Sequence, residues 1–257
     1  IGQSFETTYE MFQGKDPRFL ASIYVPGSSL LGSTMQFQRG LILKDGSKYY
    51  AQSAPGPSYL LETYIDPETQ RKDTIFGKDG GTYTGDASKT GFNIRKFVNE
   101  NLKTEAQWDF GKTETSFPIF RLAEVYLNLA EAAVEMGKYQ TEAFEAIKKI
   151  RDRAGVVTPF AVVDVEKVRH ERQVELAFEG HRFWDMKRWR IAHLPVDQGG
   201  LNGFRGAGLH PFFDLRIRKY VFEVANDLPK RQRVFTEKNY YTKFSGNDMN
   251  SNPEFLN

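Results

Sequence analysis

The sequence predicts a mainly α-helical fold: helical hairpins (α/α) joined by long irregular loops, with a few short strands. Three observations predict it. Apolar residues recur at a helical period from Ile119 to Val134 and again from Ala143 to Ile150. A charged run from Val168 to Trp189 sets acids and bases three and four residues apart, the spacing at which side chains meet on one helix face. Elsewhere Gly, Ser, Pro and aromatic residues interrupt any regular pattern, as at Pro26-Gly27, Asp45-Gly46, Pro55-Gly56 and Gly80-Gly81. The chain is therefore expected to divide into a loop-rich region over 1–115, paired helices over 116–190 and a second loop-rich region over 191–257.

In the first region a short helix is expected around Thr7 to Phe12, and short strands at Ala21 to Tyr24, Phe37 to Leu43 and Phe92 to Phe97. No large sheet is expected. The first strong helix runs from Pro118, tolerated in a first turn, to Met136, and Gly137 stops it. A second starts near Thr141 as its N-cap, carries Ala143, Phe144, Ile147 and Ile150, and stops at Gly155. The pair has the pattern of a tetratricopeptide (TPR-like) repeat, with Tyr126, Leu129, Ala130 and Ala133 on one helix and small residues that let the two approach closely. An Asp164-capped helix through Glu179, followed by His181 to Arg190, makes a second, irregular hairpin. Two hairpins cannot cover their own outer faces, and repeat arrays need about three units to be stable. Either the loop-rich regions or helices beyond this chain are expected to cover them. After Trp189 the pattern is loop-like, with one strand from Leu215 to Val224.

Composition bounds the function classes. The chain has 257 residues, 40% hydrophobic and 26% charged, enough for a core of ordinary size. A net charge of +2 provides no basic stripe to grip a phosphate backbone, so no nucleic-acid partner is expected. Cysteine is absent, which removes disulfides, thiolate metal sites and a cysteine nucleophile while fitting either side of a membrane. No run of about 18 apolar residues occurs, so no segment of the sequence is expected to span a bilayer.

The charged run bears most on function. Glu171, Glu175 and Glu179 fall on one stripe, with Arg172 three residues before Glu175, Arg182 three after Glu179, and Asp185 midway between Arg182 and Arg188. Val174, Ala177, Phe178, Phe183, Trp184, Met186 and Trp189 are threaded through the charges, so the segment packs against something and its charges need partners. A structural salt-bridge network of Glu171, Arg172, Glu175, Glu179, Arg182, Asp185 and Arg188 is expected. A general acid and base would require carboxylates on both sides of a cleft, which one helix seldom supplies.

No other motif points to catalysis. His170, His181, His193 and His210 lack metal-ligand spacing, and no nucleophile elbow, phosphate loop or dinucleotide fingerprint is present. Asp79-Gly80-Gly81 with Asp86, and Asn247-Asp248 with Asn250, read as polar turns rather than calcium loops. The expectation is a non-enzyme with no catalytic residue, metal or cofactor. The aromatic content of 14% is the more telling feature. Core under long loops accounts for much of it, but Trp108 first, then Tyr49, Tyr50, Tyr59, Tyr64 and Tyr83, are candidates to stack on the apolar faces of sugar rings.

Two stretches carry a family resemblance. The run Glu171-Arg172 to Glu175-Leu176-Ala177-Phe178-Glu179-Gly180-His181-Arg182-Phe183-Trp184-Asp185 to Arg188-Trp189 resembles the signature of the SusD/RagB nutrient-binding lipoproteins of the outer membrane. Phe120-Arg121-Leu122-Ala123-Glu124-Val125-Tyr126-Leu127-Asn128-Leu129-Ala130-Glu131-Ala132 with Ile147 to Gly155 is similar to the hairpin preceding it. Asp16-Pro17-Arg18-Phe19, Gly91 to Phe97 and Asn252-Pro253-Glu254-Phe255-Leu256 match more loosely. The tail departs from the family pattern, since Tyr240-Tyr241 runs into Thr242 to Asp248 without a proline-containing stretch. All matches fall in the C-terminal portion of the family's longer chains, so this chain reads as part of a longer protein.

The resemblance implies capture of glycan or another oligomeric nutrient without catalysis, and its delivery to a SusC-like TonB-dependent transporter. It also implies a surface-exposed outer-membrane lipoprotein whose signal peptide and lipid anchor lie on the parent protein. A second reading is a TPR-like adaptor that binds a protein or peptide between its hairpins. A third is a glycoside hydrolase, which needs two carboxylates facing a cleft.

Overall fold

A computed structural model of the chain describes residues 2–50, 63–80, 88–102, 115–225 and 232–241. In chain order its elements are β1 (Ser4–Phe5), α1 (Pro17–Ser22), β2 (Ile23–Tyr24), β3 (Ser29–Leu30), β4 (Ser33–Thr34), β5 (Gly40–Ile42) and β6 (Lys48–Tyr49). There follow β7 (Thr63–Ile65), β8 (Lys72–Thr74), β9 (Asn93–Ile94), α2 (Leu122–Glu135), α3 (Gln140–Arg153), α4 (Val165–Glu175), α5 (His181–Arg188), β10 (Gly208–Asp214) and β11 (Lys219–Ala225). Helical residues outnumber strand residues among those described, and no helix there is long and apolar enough to cross a membrane.

Helices α2, α3 and α4 share one core. Buried Ala123, Leu127, Ala130 and Ala133 of α2 face Ala143, Ala146, Ile147 and Ile150 of α3, and Val163, Val168 and Leu176 close the cluster. The alanines keep the helices close, because a methyl group leaves little to separate two backbones. Gly137 and Gly155 end α2 and α3 where the sequence predicts. Gly137 N–H bonds Val134 O and Lys138 N–H bonds Ala133 O, while Gly155 and Val156 repeat the arrangement on Asp152 and Arg151, so the last carbonyls of each helix are satisfied.

The helix starts differ from expectation. Helix α2 begins at Leu122 rather than Pro118, because Arg121 is extended (φ −151°, ψ 159°) while its guanidinium reaches another helix. Helix α3 takes Tyr139, in the left-handed region at φ 58°, as its N-cap, and Thr141 sits inside the first turn. Asp164 does cap α4, accepting from Lys167 N at 2.8 Å. That helix stops at Glu175 instead of Glu179, because Phe178 (φ 66°) and Gly180 (φ 82°) turn the chain before α5. Helix α1 was not anticipated; Asp16 caps it and Pro17 fits its first turn.

Strands form a larger sheet than the sequence suggests. Five align in the order β1-β11-β10-β5-β6, with β10 parallel to β5 and the other neighbours antiparallel. Strand β10 escapes sequence reading because five of its seven residues, on both faces, are buried, so no two-residue alternation appears. The expected strand from Leu215 starts only at Lys219. Residues 215–218 form the hairpin turn instead, closed by Arg218 N–H to Asp214 O at 2.8 Å and by Asp214 gripping the Arg216 guanidinium. That turn holds no glycine or asparagine, and Arg218 supplies the left-handed residue at φ 56°.

The chain divides into two compact units. The first is Ile1–Glu179 with Ala207–Leu228, and holds the helical core and the five-stranded sheet. The second is Gly180–Gly206 with Pro229–Asn257, where Met186, Ala192 and Phe235 form a small core.

Candidate functional site

Three features compete as the site: the carboxylates on and after α4, a cavity beside them, and the aromatic candidates. Side chains of Glu171, Glu175 and Glu179 are 2%, 1% and 1% exposed, and each is held by cations from distant segments. Arg18 Nη1 donates to Glu171 Oε1 at 2.5 Å and to Glu175 Oε2 at 3.1 Å. Arg151 Nη1 donates to Glu171 Oε2 at 2.7 Å, and Arg153 Nη2 to Glu175 Oε1 at 2.6 Å. Arg121 bridges two carboxylates, giving Nη1 to Glu175 and both Nε and Nη2 to Glu179, all at 2.7 Å.

The same cations finish helix α4. Arg121 Nη2 also donates to Glu175 O at 2.7 Å, and Lys96 Nζ donates to Glu175 O at 3.1 Å and Ala177 O at 2.9 Å. These carbonyls lie at the negative end of the helix dipole, where positive charge is favoured. Lys96 Nζ also pairs with Glu179 at 2.5 Å. Burial pushes the Glu179 carboxyl up, but hydrogen bonds from Arg121 and Lys96 outweigh it and hold the group below its ordinary range. Arg18 shows the mirror case: burial works against its charge, yet bonds to Asp16 and Glu171 hold its proton more firmly than in a free arginine.

Of the seven residues expected to pair, four lie in the first unit and three in the second. Arg172 does not serve Glu175 as its three-residue spacing suggests. It donates Nη1 to Asn128 at 2.8 Å and lies 3.5 Å from Glu124, tying α4 to α2. In the second unit Asp185, 4% exposed, pairs with Arg188 at 3.1 Å, and Arg182 lies over the Trp189 ring at 5.8 Å. Sequence reasoning missed the cations that serve the glutamates, namely Arg18, Lys96, Arg121, Arg151 and Arg153. Pairing across 153 residues leaves no local spacing to read.

Beside this cluster α1 and α4 border a cavity of about 660 Å³. Phe12, Phe19, Phe92, Val174, Phe178 and Leu209 make it largely apolar, with Lys15, His170 and Gln173 among its polar lining. Its volume is within the range of small-molecule and peptide pockets. No sequence signal marked it, because its walls come from segments far apart in the chain.

The aromatic candidates separate. Trp108, Tyr59 and Tyr83 lie outside the described residues, as do Asp86, Asn247, Asp248 and Asn250 of the polar turns. Tyr49 and Tyr64 meet ring to ring at 5.5 Å and pack on Leu41, Ile75, Phe76 and Leu215. Tyr50 is 43% exposed and stands edge-on to Phe212 at 5.8 Å. The structure thus puts Tyr49 and Tyr64 against the core and leaves Tyr50 open. Asp79 is occupied, accepting from Gln36 N at 2.8 Å. His193 Nδ1 lies 2.8 Å from Tyr240 Oη, and buried His210 bonds Lys89 O through Nε2 at 2.9 Å. Among the described residues no group of three or more acidic or histidine side chains could hold a metal ion.

Comparison with known proteins places the chain. The model of the SusD family matches residues 2–255. The chain belongs to the SusD family. Two SusD-like proteins of Formosa agariphila align with parts of it: P2 is 31% identical over 101 residues, 35% of this chain and 20% of that protein. P25 is 39% identical over 80 residues, 28% of this chain and 15% of that protein. Two SusD-like proteins of Bacteroides fragilis share the fold. One, at 24% identity and TM-score 0.57, covers 97% of this chain and 40% of its own. The other, described as a SusD-like carbohydrate binding protein, is 23% identical with TM-score 0.58 and covers 96% and 43%. This SusD-family chain therefore spans less than half the length of these relatives.

Proposed function

We propose that this chain is part of a cell-surface protein that captures glycan or another oligomeric nutrient without chemical change and passes it to a SusC-like TonB-dependent transporter. One observation carries the non-catalytic part. Glu171, Glu175 and Glu179, the densest acidic group of the sequence signature, are buried with their oxygens already taken by arginine and lysine, so none of the three is offered to a substrate. Membership of the SusD family, with a relative of the same fold described as carbohydrate binding, supports the choice of ligand. The alanine-lined pairing of α2 with α3 supports reading the helices as a TPR-like scaffold, with exposed Tyr50, and Trp108 of the sequence, as ligand contacts. Such a protein is held at the outer membrane by a lipid anchor rather than by the helices described here.

Calorimetry against a panel of polysaccharides tests the capture, with Trp108→Ala and Tyr50→Ala beside the unaltered chain. Binding with no release of shorter sugars, weakened in either variant, is the expected result. Hydrolysis of a bound glycan would overturn it. Co-purification with a TonB-dependent transporter tests the delivery step. The cavity between α1 and α4 favours a second reading, a peptide-binding adaptor, because its apolar walls suit the apolar face of a short helix. Peptide binding abolished by Val174→Glu, with no glycan bound by the same protein, would select that reading instead.

A further inference from the structure

The second compact unit carries a row of touching aromatic rings with a cation at each end. Trp184 meets Phe183 at 5.4 Å between ring centres, Phe183 meets Phe235 at 6.2 Å, and Phe235 meets Tyr240 at 5.2 Å, all edge to face. At one end Lys187 Nζ lies 5.5 Å from the Trp184 ring and 5.6 Å from that of Phe183. At the other, the Arg190 guanidinium covers Tyr240 at 4.1 Å and Tyr241 at 5.4 Å, and donates Nη2 to the Tyr241 hydroxyl at 3.2 Å. Phe235 is buried beside Met186 and Ala192 and anchors the row. One end, Trp184, is 64% exposed, and Tyr241, which shares Arg190 with Tyr240 at the other, is 71% exposed.

Among the described residues neither Lys187 nor Arg190 pairs with a carboxylate, and the one acid of helix α5, Asp185, is buried against Arg188. A cation over a ring gains from the ring's negative face but keeps its full charge. Large exposed rings beside unpaired cations suit a ligand that offers apolar faces and anionic groups together. The row links four rings in sequence. A phosphodiester strand would need a cation at nearly every residue, whereas here they stand only at the ends.

We propose that Trp184, Tyr241, Lys187 and Arg190 form a subsite for an acidic oligosaccharide, with sugar faces on the two exposed rings and carboxylate or sulfate groups on the two cations. This rests on the glycan-capture reading and narrows it to anionic glycans. The subsite gives the signature segment a role on its outer surface distinct from the buried pairs of α4.

Calorimetry of the whole chain with polygalacturonate against its methyl ester, and with dextran sulfate against dextran, tests the assignment and separates carboxylate from sulfate. The acidic form of at least one pair should bind about tenfold more tightly than its neutral form and lose affinity as salt rises. Lys187→Gln and Arg190→Gln should each weaken it severalfold, Lys187→Arg should retain it, and Trp184→Ala should weaken acidic and neutral forms alike. Thermal melts of each variant establish that the fold persists. Equal affinity for acidic and neutral forms, an unchanged Lys187→Gln, Arg190→Gln double variant, or equal binding of single-stranded oligothymidylate overturns the subsite. Any of these results together with retained binding of neutral glycan leaves the capture reading standing without this subsite. Absence of binding to every glycan removes both.

Discussion

Arg18 and Glu171 are 153 residues apart in the chain, and Nη1 of the first lies 2.5 Å from Oε1 of the second. The bond joins α1 to α4, and Arg18 extends it to Glu175. Arg18 is preset for this by Asp16, which caps α1 and accepts from the Arg18 backbone at 2.9 Å and from its guanidinium at 3.0 and 2.7 Å. One local motif thus aims a cation at a buried pair of acids far along the chain.

Breaking that junction should destabilise the fold without touching chemistry. Arg18→Ala leaves Glu171 and Glu175 buried with one partner fewer, and loss of one side of a buried pair costs about 3–5 kcal/mol. Urea unfolding should show this as a lower midpoint. A change below about 1 kcal/mol would mean that the other arginines suffice.

Acid should weaken the fold through Glu179 and Asp66. The Glu179 carboxyl is held below its ordinary 4.5, so its contribution is present above that value and lost as pH falls through the lowered one. Asp66, brought to about 2 chiefly by the Thr69 backbone N–H, loses its share between its ordinary 3.8 and that value. Thermal melts should therefore show a falling midpoint below about pH 4.5, reduced in Glu179→Gln. An unaltered acid limb in that variant would exclude Glu179 as a source.

Gly91 should not accept a side chain. Its φ is +81°, and a Cβ there would stand 2.2 Å from the Leu209 carbonyl oxygen, on backbone that cannot move aside without disturbing β10. Gly91→Ala should cost at least about 2 kcal/mol from the left-handed conformation and overpacking together. Unfolding measurements that find it neutral would contradict this close approach.

Tyr139 offers the opposite case. It occupies the left-handed region at the start of α3 with 56% of its surface exposed, so Tyr139→Gly relieves strain at little loss of packing. The expected gain is about 1 kcal/mol, or a melting temperature raised by roughly 2–4 °C. A lowered melting temperature would show that the ring contributes more than the backbone strain removes.

The tyrosines should divide by function. Tyr49→Ala and Tyr64→Ala remove packed rings and should cost about 1–3 kcal/mol while leaving glycan affinity alone. Tyr50→Ala should do the reverse. Paired melts and calorimetry decide between this and a shared role for all three.

Much of the helical part was legible because its causes are local. The period from Ile119 to Val134, the stops at Gly137 and Gly155 and the Asp164 cap depend on residues within a turn or two of one another. Strand β10 was illegible because burial on both faces erases alternation, and the turn at 215–218 because Arg218 takes a conformation usually given to glycine or asparagine. Spacing picks out the seven charged residues of the signature as an acidic and basic run, but the cations that serve its glutamates come from distant segments and leave no local trace. Spacing suggested that Arg172 would serve Glu175, whereas Arg172 reaches Asn128 and Glu124 and Glu175 is served from α1, α3 and the start of α2.

What the sequence determined by itself was that α2, α3 and α4 form and where glycine stops the first two, the concentration of charge between Val168 and Trp189, and the family to which those residues point. Only the tertiary structure decided which cation meets which carboxylate, that α1 and α4 border a cavity, and which aromatic rings face solvent. Helix propensity and capping act over a few bonds and are written in neighbouring residues, while ion pairing and burial depend on distances in space between segments the chain order keeps far apart.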